Sequence, residues 1–365
     1  MTKSDTRQLK GLAILMMLWL HLFSDLETVE QCSYWLMYFN GLPLAHSLTR
    51  LASCCVPIYI FLGGFGLAAT YQTAPNHLLH GGRRALALMA NFWLVFVIFI
   101  PIGCMVNPAL YPGDWQTLLL NVTAVGYSYN GAWWFLLPYV LLTLSAQFFM
   151  NHFHRSSCRQ DMLLVAVLAF VHVGVYQLTS VLPLSNTWPF PGVLTLLNYV
   201  SMLLLFVLGI LAVKYRRGDS SREHQGEHQG APHQGDGSRC AMPLHRRTVP
   251  QVPKVLLLLL LCLIKMMLGS SSLLNVPFVL LFIPLLLSVR WPQWLHKTLE
   301  FFGLHSTNMW LIHFFFYYIF GTLIYQLRYP LVIFLVLTAA SLLCSMLLRP
   351  LFEPLRKMIR ETSHL

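Results

Sequence analysis

The chain has 365 residues, of which 56% are hydrophobic and 10% charged, with 24 basic against 13 acidic side chains and a formal net charge of +11. A soluble domain carries about 25% charged residues to cover its surface. So apolar a chain excludes a soluble enzyme, a disordered chain and a disulfide-stapled secreted domain, and it reads as an all-α polytopic membrane protein.

A helix crossing about 30 Å of hydrocarbon needs roughly 20 apolar residues. Ten stretches qualify in chain order, approximately Lys10–Leu26, Leu51–Tyr71, Ala85–Val106, Ala132–Met150 and Met162–Leu182, then Val193–Val213, Val255–Gly269, Ser272–Val289, Ser306–Leu327 and Leu331–Leu348. Trp115–Tyr127 is apolar but short, and reads as an interfacial or re-entrant piece. The first stretch has a basic start but no small-residue cleavage site after it, so it is taken as a retained helix rather than a signal peptide.

Lys and Arg set the expected orientation. With ten spans and both termini cytoplasmic, 21 of the 24 basic residues fall on one side, leaving Arg50, Lys265 and Arg328. Basic residues placed in short gaps between apolar runs bespeak a lipid bilayer, not nucleic acid. Residues 1–365 are expected to form a single membrane domain, interrupted by a disordered cytoplasmic loop at 214–254. That loop holds the repeats Glu223-His-Gln-Gly, Glu227-His-Gln-Gly and Pro232-His-Gln-Gly, read as a slipped repeat in a tether, with no metal expected. Eight cysteines show no CxxC pair, and no disulfide is expected between Cys32 and Cys54.

Ionisable side chains inside hydrocarbon are costly and are functional candidates by default. The spans contain His21, His172, Lys265 and His313 and no carboxylate in mid-span. Lys10 and His21 are eleven residues apart, so they share one helical face about 16 Å apart along the axis. A lysine at the mouth suits an anionic phosphate, and a neutral imidazole at depth suits a general base. On spacing alone the plainer reading, a topology anchor and a hydrogen-bonded core histidine, stands ahead of this one.

The pattern Lys10, ten residues, His21 resembles the Arg/Lys-x10-His signature of the acyltransferase type three family, integral membrane O-acyltransferases. Pro57-Ile-Tyr-Ile-Phe-Leu-Gly-Gly64-Phe is similar to that family's F-x-x-SG-F pattern, with Gly63 where serine is usual. Trp133-Trp134-Phe135-Leu resembles its W-[FY]-L helix start, and Ser306-x-Asn308-x-Trp310-Leu-Ile-His313 its late S-x-x-[IY]-x-L-x-H helix. The likeness runs in order over nearly the whole membrane region and reverses the standing of the two readings. It implies transfer of an acyl group, usually acetyl, from cytoplasmic acetyl-CoA or another acyl-CoA to a surface polysaccharide or lipid-linked sugar, in a bacterial inner (plasma) membrane. His21 is then the catalytic base, and Lys10 with Arg83 and Arg84 grips the CoA phosphates, although the family's RxxR is not cleanly present.

Asp25, four residues beyond His21, would share its face and orient the imidazole; the preferred alternative is a solvated helix end beside Glu27 and Glu30. His313, seven residues after Ser306, would add to the same cavity. Tyr111, Trp115, Tyr127, Tyr129, Trp133 and Trp134 suit either sugar recognition or the interfacial aromatic belt. Asn121-Val-Thr123 matches a glycosylation sequon. A homo-oligomer is compatible with the composition. The rival function is a secondary transporter of a small solute, which ten spans and an intramembrane lysine also fit.

Overall fold

The structure, a computed structural model, describes residues 1–32, 37–71, 77–182, 191–228 and 250–361. It is built from helices α1 (Lys3–Phe23), α2 (Leu26–Gln31), α3 (Leu44–Ala52), α4 (Cys55–Tyr71), α5 (His77–Val106), α6 (Trp115–Val122) and α7 (Leu136–Arg155). The second half adds α8 (Cys158–Val181), α9 (Pro191–His228), α10 (Gln251–Leu268), α11 (Ser272–Ser288), α12 (Gln293–Tyr325) and α13 (Pro330–Glu361). A 3₁₀ turn, Gly131–Phe135, leads into α7. Before α3 lies a small antiparallel hairpin, β1 (Tyr38–Phe39) and β2 (Leu42–Pro43), pairing Tyr38 with Pro43 and Phe39 with Leu42. Its turn residues Asn40 and Gly41 both have positive φ, 51° and 76°, as a two-residue hairpin turn requires.

Among the described residues, eight helices are long and apolar enough to cross a membrane by length and composition. The other two of the ten expected spans are present as helices. α1 has 21 residues, but Arg7, Lys10 and His21 dilute its hydropathy; α11, at 17 residues, is shorter than the rest. α3 and α4 make one apolar run, Leu44–Tyr71, that starts earlier than expected. α6 has eight residues, too few to span. α9 continues to His228, into the tract expected to be a disordered tether, and residues 229–249 with the last repeat lie outside the described residues.

The bundle is organised around α4, which is hydrophobic on all sides and packs against α9, α1 and α7. α1 packs most extensively on α12, and α12 on α13. Two helix crossings are backbone contacts. A Cβ at Gly11 would lie 1.9 Å from the Leu299 carbonyl oxygen, and one at Gly303 would lie 2.0 Å from that of Arg7. Gly64 and Gly209 do the same for α4 and α9, with Cβ positions 2.0 Å and 2.2 Å from the carbonyl oxygens of Phe206 and Phe61. Apolar burial gives little drive between helices in lipid, so such close approach supplies the packing. α8 and α10 turn mostly outward and present bare apolar side chains, including Phe170 at 80% exposure and Val181 at 78%, a surface suited to lipid.

Polar groups join helices inside the bundle. Asn91 donates to Asn308 at 2.6 Å, and His305 Nδ1 lies 3.0 Å from the Ser345 hydroxyl. His172 Nδ1 faces Ser201 at 2.9 Å. Lys265 is buried and donates to the Gly269 carbonyl at 2.5 Å, closing the last turn of α10. Cys32 and Cys54 are both free thiols.

Candidate active site

Lys10, Met17 and His21 repeat at helical spacing along one face of α1, a helix opened by a capping box between Thr2 and Asp5. Ser306, Trp310 and His313 repeat likewise along α12. The Gly11–Gly303 crossing holds these two faces together. It brings the imidazole of His21 against that of His313, with ring centroids 5.1 Å apart and an interplanar angle of 36°. Phe314 closes the group, its ring edge-on to His21 at 4.7 Å.

The two histidines differ in what they can do. His313 is fully buried, and its Nδ1 donates to the backbone carbonyls of Trp310 at 2.9 Å and Met309 at 3.1 Å. Those acceptors require the proton on Nδ1, which leaves Nε2 as a lone-pair acceptor; that atom is buried with no partner. His21 is half-buried. Among the described residues its ring nitrogens make no hydrogen bond, and neither is sealed as His313 Nε2 is. His21 is therefore the imidazole of the pair with nitrogens free to meet a third group.

On the N-terminal side of His21, a cavity of about 60 Å³ is bounded by Lys10, Met17, Tyr59, Tyr139, Ser306 and Trp310 among others. Tyr59 donates to the Lys10 carbonyl at 3.0 Å, which ties α4 to α1 at this level. Arg84 donates to Thr70 at 3.0 Å, and its charge reaches Lys10 and the Tyr139 hydroxyl. Lys10 forms no ion pair among the described residues. The cavity ends at Met17 and Trp310, one helical turn short of the histidines, and holds only about two waters' share of liquid volume. On the other side, a 470 Å³ pocket reaches Leu20 and Ser24. His21 thus sits between two cavities along the same helix, about 6 Å from Met17 and about 4.5 Å from Ser24 along the axis.

The family model described as an acyltransferase domain matches residues 7–349. The chain belongs to the acyltransferase 3 family. No curated protein and no solved structure matches it. The match reaches from the first helix into the last apolar span, so the protein is a multi-pass membrane acyltransferase, and the transporter reading is set aside.

In this acyltransferase the expected site residues are not all together. Lys10 and Arg84 share one neighbourhood and His21 and His313 another. Asp25 does not stand over His21. α1 ends at Phe23, Asp25 is extended (φ −85°, ψ 121°), and the four-residue helical spacing does not apply across that break. Its exposed carboxylate caps α2 instead, accepting from the Thr28 amide at 3.1 Å and from the Thr28 hydroxyl. These bonds hold its carboxyl below the usual range. Arg83 is half-buried one residue before Arg84. The aromatics expected at the surface divide: Trp133, Tyr129 and Tyr111 are buried in the core, while Trp115 is 71% exposed. Trp133 Nε1 and Asn130 Nδ2 both donate to the Leu311 carbonyl at 3.0 Å, and Trp310 Nε1 donates to the Ala132 carbonyl at 2.9 Å. The Trp-rich turn therefore braces the histidine helix. Asn121 is buried with its amide donating to Thr117 and Ser128, which removes the sequon from reach.

Two contributors were not singled out from the sequence. The Tyr139 ring fills the space over Gly63, where a Cβ would lie 2.9 Å from its hydroxyl oxygen. Where the resemblance leads one to expect a serine, a phenol from α7 supplies the hydroxyl. Tyr59 was quoted within a motif, but its bond to Lys10 depends on tertiary packing that no local signal announces.

Proposed function

We propose that the protein transfers an acyl group, acetyl in the first instance, from acyl-CoA to a hydroxyl of a surface polysaccharide or lipid-linked sugar. The observation that carries this reading is the His21 imidazole, without a hydrogen bond among the described residues and paired with His313 where α1 meets α12. It lies along α1 between one cavity against α12 and another against α3 and α10. A ring nitrogen of His21 takes the proton of the acceptor hydroxyl. The oxygen then attacks the thioester carbon, the C–S bond breaks, and the CoA thiolate leaves and is protonated by the imidazolium. His313 Nε2, fixed as an acceptor, stabilises the charge that forms on its neighbour. Lys10 and Arg84, with Arg83 beside them, hold the donor phosphates as cations. About 16 Å along α1 then separates phosphate from imidazole, a reach that suits a long thioester arm.

Donor entry at the Lys10 end is supported by the Lys and Arg distribution, which favours a cytoplasmic side for that end, in keeping with the bacterial inner membrane that the family resemblance implies. The 60 Å³ cavity is the closed form of the donor channel, and Met17 and Trp310 must yield for the arm to pass. The test is acetyl transfer from radiolabelled acetyl-CoA by purified protein, comparing wild type with His21→Ala. Turnover is expected to fall by roughly 10²-fold or more, the range for loss of a general base. CoA should still raise thermal stability, because ligand bound only to the native state must do so. Near-normal turnover in His21→Ala removes that residue from the reaction.

A further inference from the structure

Building on the proposed transfer to a glycan hydroxyl, we infer that the 470 Å³ pocket at the C-terminal end of α1 is the acceptor subsite and that it takes an acidic sugar, its anion held by Arg50. The pocket lies where α1, α3 and α10 meet, with Ser24, His46, Thr49, Arg50, Gly269 and Ser270 in its wall. A volume of this size falls in the range of small-molecule sites.

Charge gives the first argument. Three basic residues stand apart from the main basic side of the sequence, and two of them, Arg50 and Lys265, converge here. Arg50 Nη1 donates to the Met266 carbonyl at 3.1 Å, and Lys265 to the Gly269 carbonyl. Both contacts brace the end of α10, yet they consume only one donor of the Arg50 fork, which has five N–H groups. Among the described residues no carboxylate lines the pocket. Asp25 is near enough for His46 to feel its charge, one negative charge against the two positive ones of Arg50 and Lys265, and its Oδ2 is turned to the Thr28 cap. The pocket therefore keeps a net positive character in a part of the sequence otherwise poor in cations. A neutral sugar has no use for it, whereas a carboxylate or phosphate matches a guanidinium fork.

Position gives the second argument. His46 Nδ1 donates to the Phe23 carbonyl at 3.1 Å, which leaves its other nitrogen an acceptor suited to a sugar hydroxyl. Leu20 and Ser24 bracket His21 on α1 and border the pocket. An anion anchored on Arg50, with His46 accepting from a hydroxyl of the same sugar, places a neighbouring hydroxyl toward the imidazole of His21, on the side away from Lys10.

The experiment uses full-length protein in lipid nanodiscs and follows thermal unfolding with glucuronate, glucose 6-phosphate and glucose. At least one of the two anions is expected to stabilise the protein with an affinity tenfold or more above that of glucose; the better one names the anion as carboxylate or phosphate. Arg50→Gln should weaken that anion at least tenfold while leaving the CoA-induced shift unchanged. Should Arg50→Gln fail to fold, Arg50→Lys keeps the charge and is expected to weaken the anion at least threefold. Equal effects of glucose and both anions, or a full anion response in the Arg50 variants, overturns the inference. So does an Arg50 variant that lowers basal stability in a protein no anion stabilises, which marks Arg50 as a brace for α10 alone. An anion response without a CoA response instead overturns the transfer reading and leaves the acidic-ligand site standing.

Discussion

His313 presents an acceptor nitrogen beside the imidazole of His21, which has no hydrogen bond among the described residues, at a centroid distance of 5.1 Å. The tautomer is imposed by the α12 backbone, through Met309 and Trp310. Replacing His313 with alanine removes that acceptor and leaves His21 in place. We expect kcat to fall by roughly tenfold to 100-fold, less than a lost general base can cost, with the donor KM unchanged. Steady-state transfer from acetyl-CoA reads both constants, and an unaltered kcat excludes His313 from the chemistry.

The α1–α12 crossing depends on hydrogen atoms where side chains would otherwise be. Gly11→Ala or Gly303→Ala drives a methyl group into a carbonyl about 2 Å away and is expected to cost about 3 kcal/mol, the upper part of the overpacking range. Gly66→Ala is the control, since nothing lies within 4 Å of its added Cβ, and it should be neutral or stabilising by about 0.5–1 kcal/mol. Unfolding of the purified variants in detergent measures all three. Equal stability in all of them contradicts a backbone contact.

Asp25 offers a test by pH. Thr28 depresses its folded carboxyl below the unfolded value, so its capping contribution is present above about pH 4 and fades as pH falls through the lower folded value. Nothing in that window overlaps a histidine reaction near neutrality. Asp25→Asn should retain turnover within about twofold between about pH 6 and 8, with the profile unmoved. A displaced profile in Asp25→Asn would restore the carboxylate as a partner of His21.

A separate prediction concerns the far edge of the bundle. Asp161 has a side chain only 2% exposed and pairs with Lys214 at 2.6 Å. It also accepts from Tyr215 at 2.7 Å and from the Ser156 hydroxyl. Asp161→Ala removes the charged partner of Lys214, which keeps its contacts to Ser156, and the acceptor of two hydroxyls, at an expected cost of about 3 kcal/mol, visible as a lower midpoint of thermal unfolding. Because the pair joins α8 to α9 away from the histidines, transfer activity below that midpoint should be retained.

The spans were legible because length and apolarity are linear properties. Lys265–Gly269 and Arg7–Lys10 show where those properties blur, one at a helix end and the other in a helix too charged to stand out. The partnership of His21 and His313 was half legible: each spacing gives a face, but only the Gly11–Gly303 contact brings the two faces together. For Asp25 the four-residue count and the solvated helix end compete, and the exposed carboxylate turned to the Thr28 cap agrees with the second, preferred reading. Trp133 and Trp115 have the same chemistry in one aromatic run, and sequence cannot distinguish the inward ring from the outward one. The Asn40-Gly41 turn carried a strong hairpin signal that the search for spans passed over. The Arg50 pocket joins residues more than two hundred positions apart, beyond any motif.

The touching backbones of α1 and α12 have a consequence for motion. Neither helix can slide or roll against the other without a collision at Gly11 or Gly303, so the pair forms a stationary post carrying both imidazoles. The proposed donor channel then widens by rotation of the Met17 and Trp310 side chains on that post and by a swing of the opposite wall, where Tyr59 of α4, Leu88 of α5 and Tyr139 of α7 line the same cavity as Lys10. Probes spanning α1 and α12 should stay silent through a catalytic cycle, while probes spanning α1 and α7 report each opening.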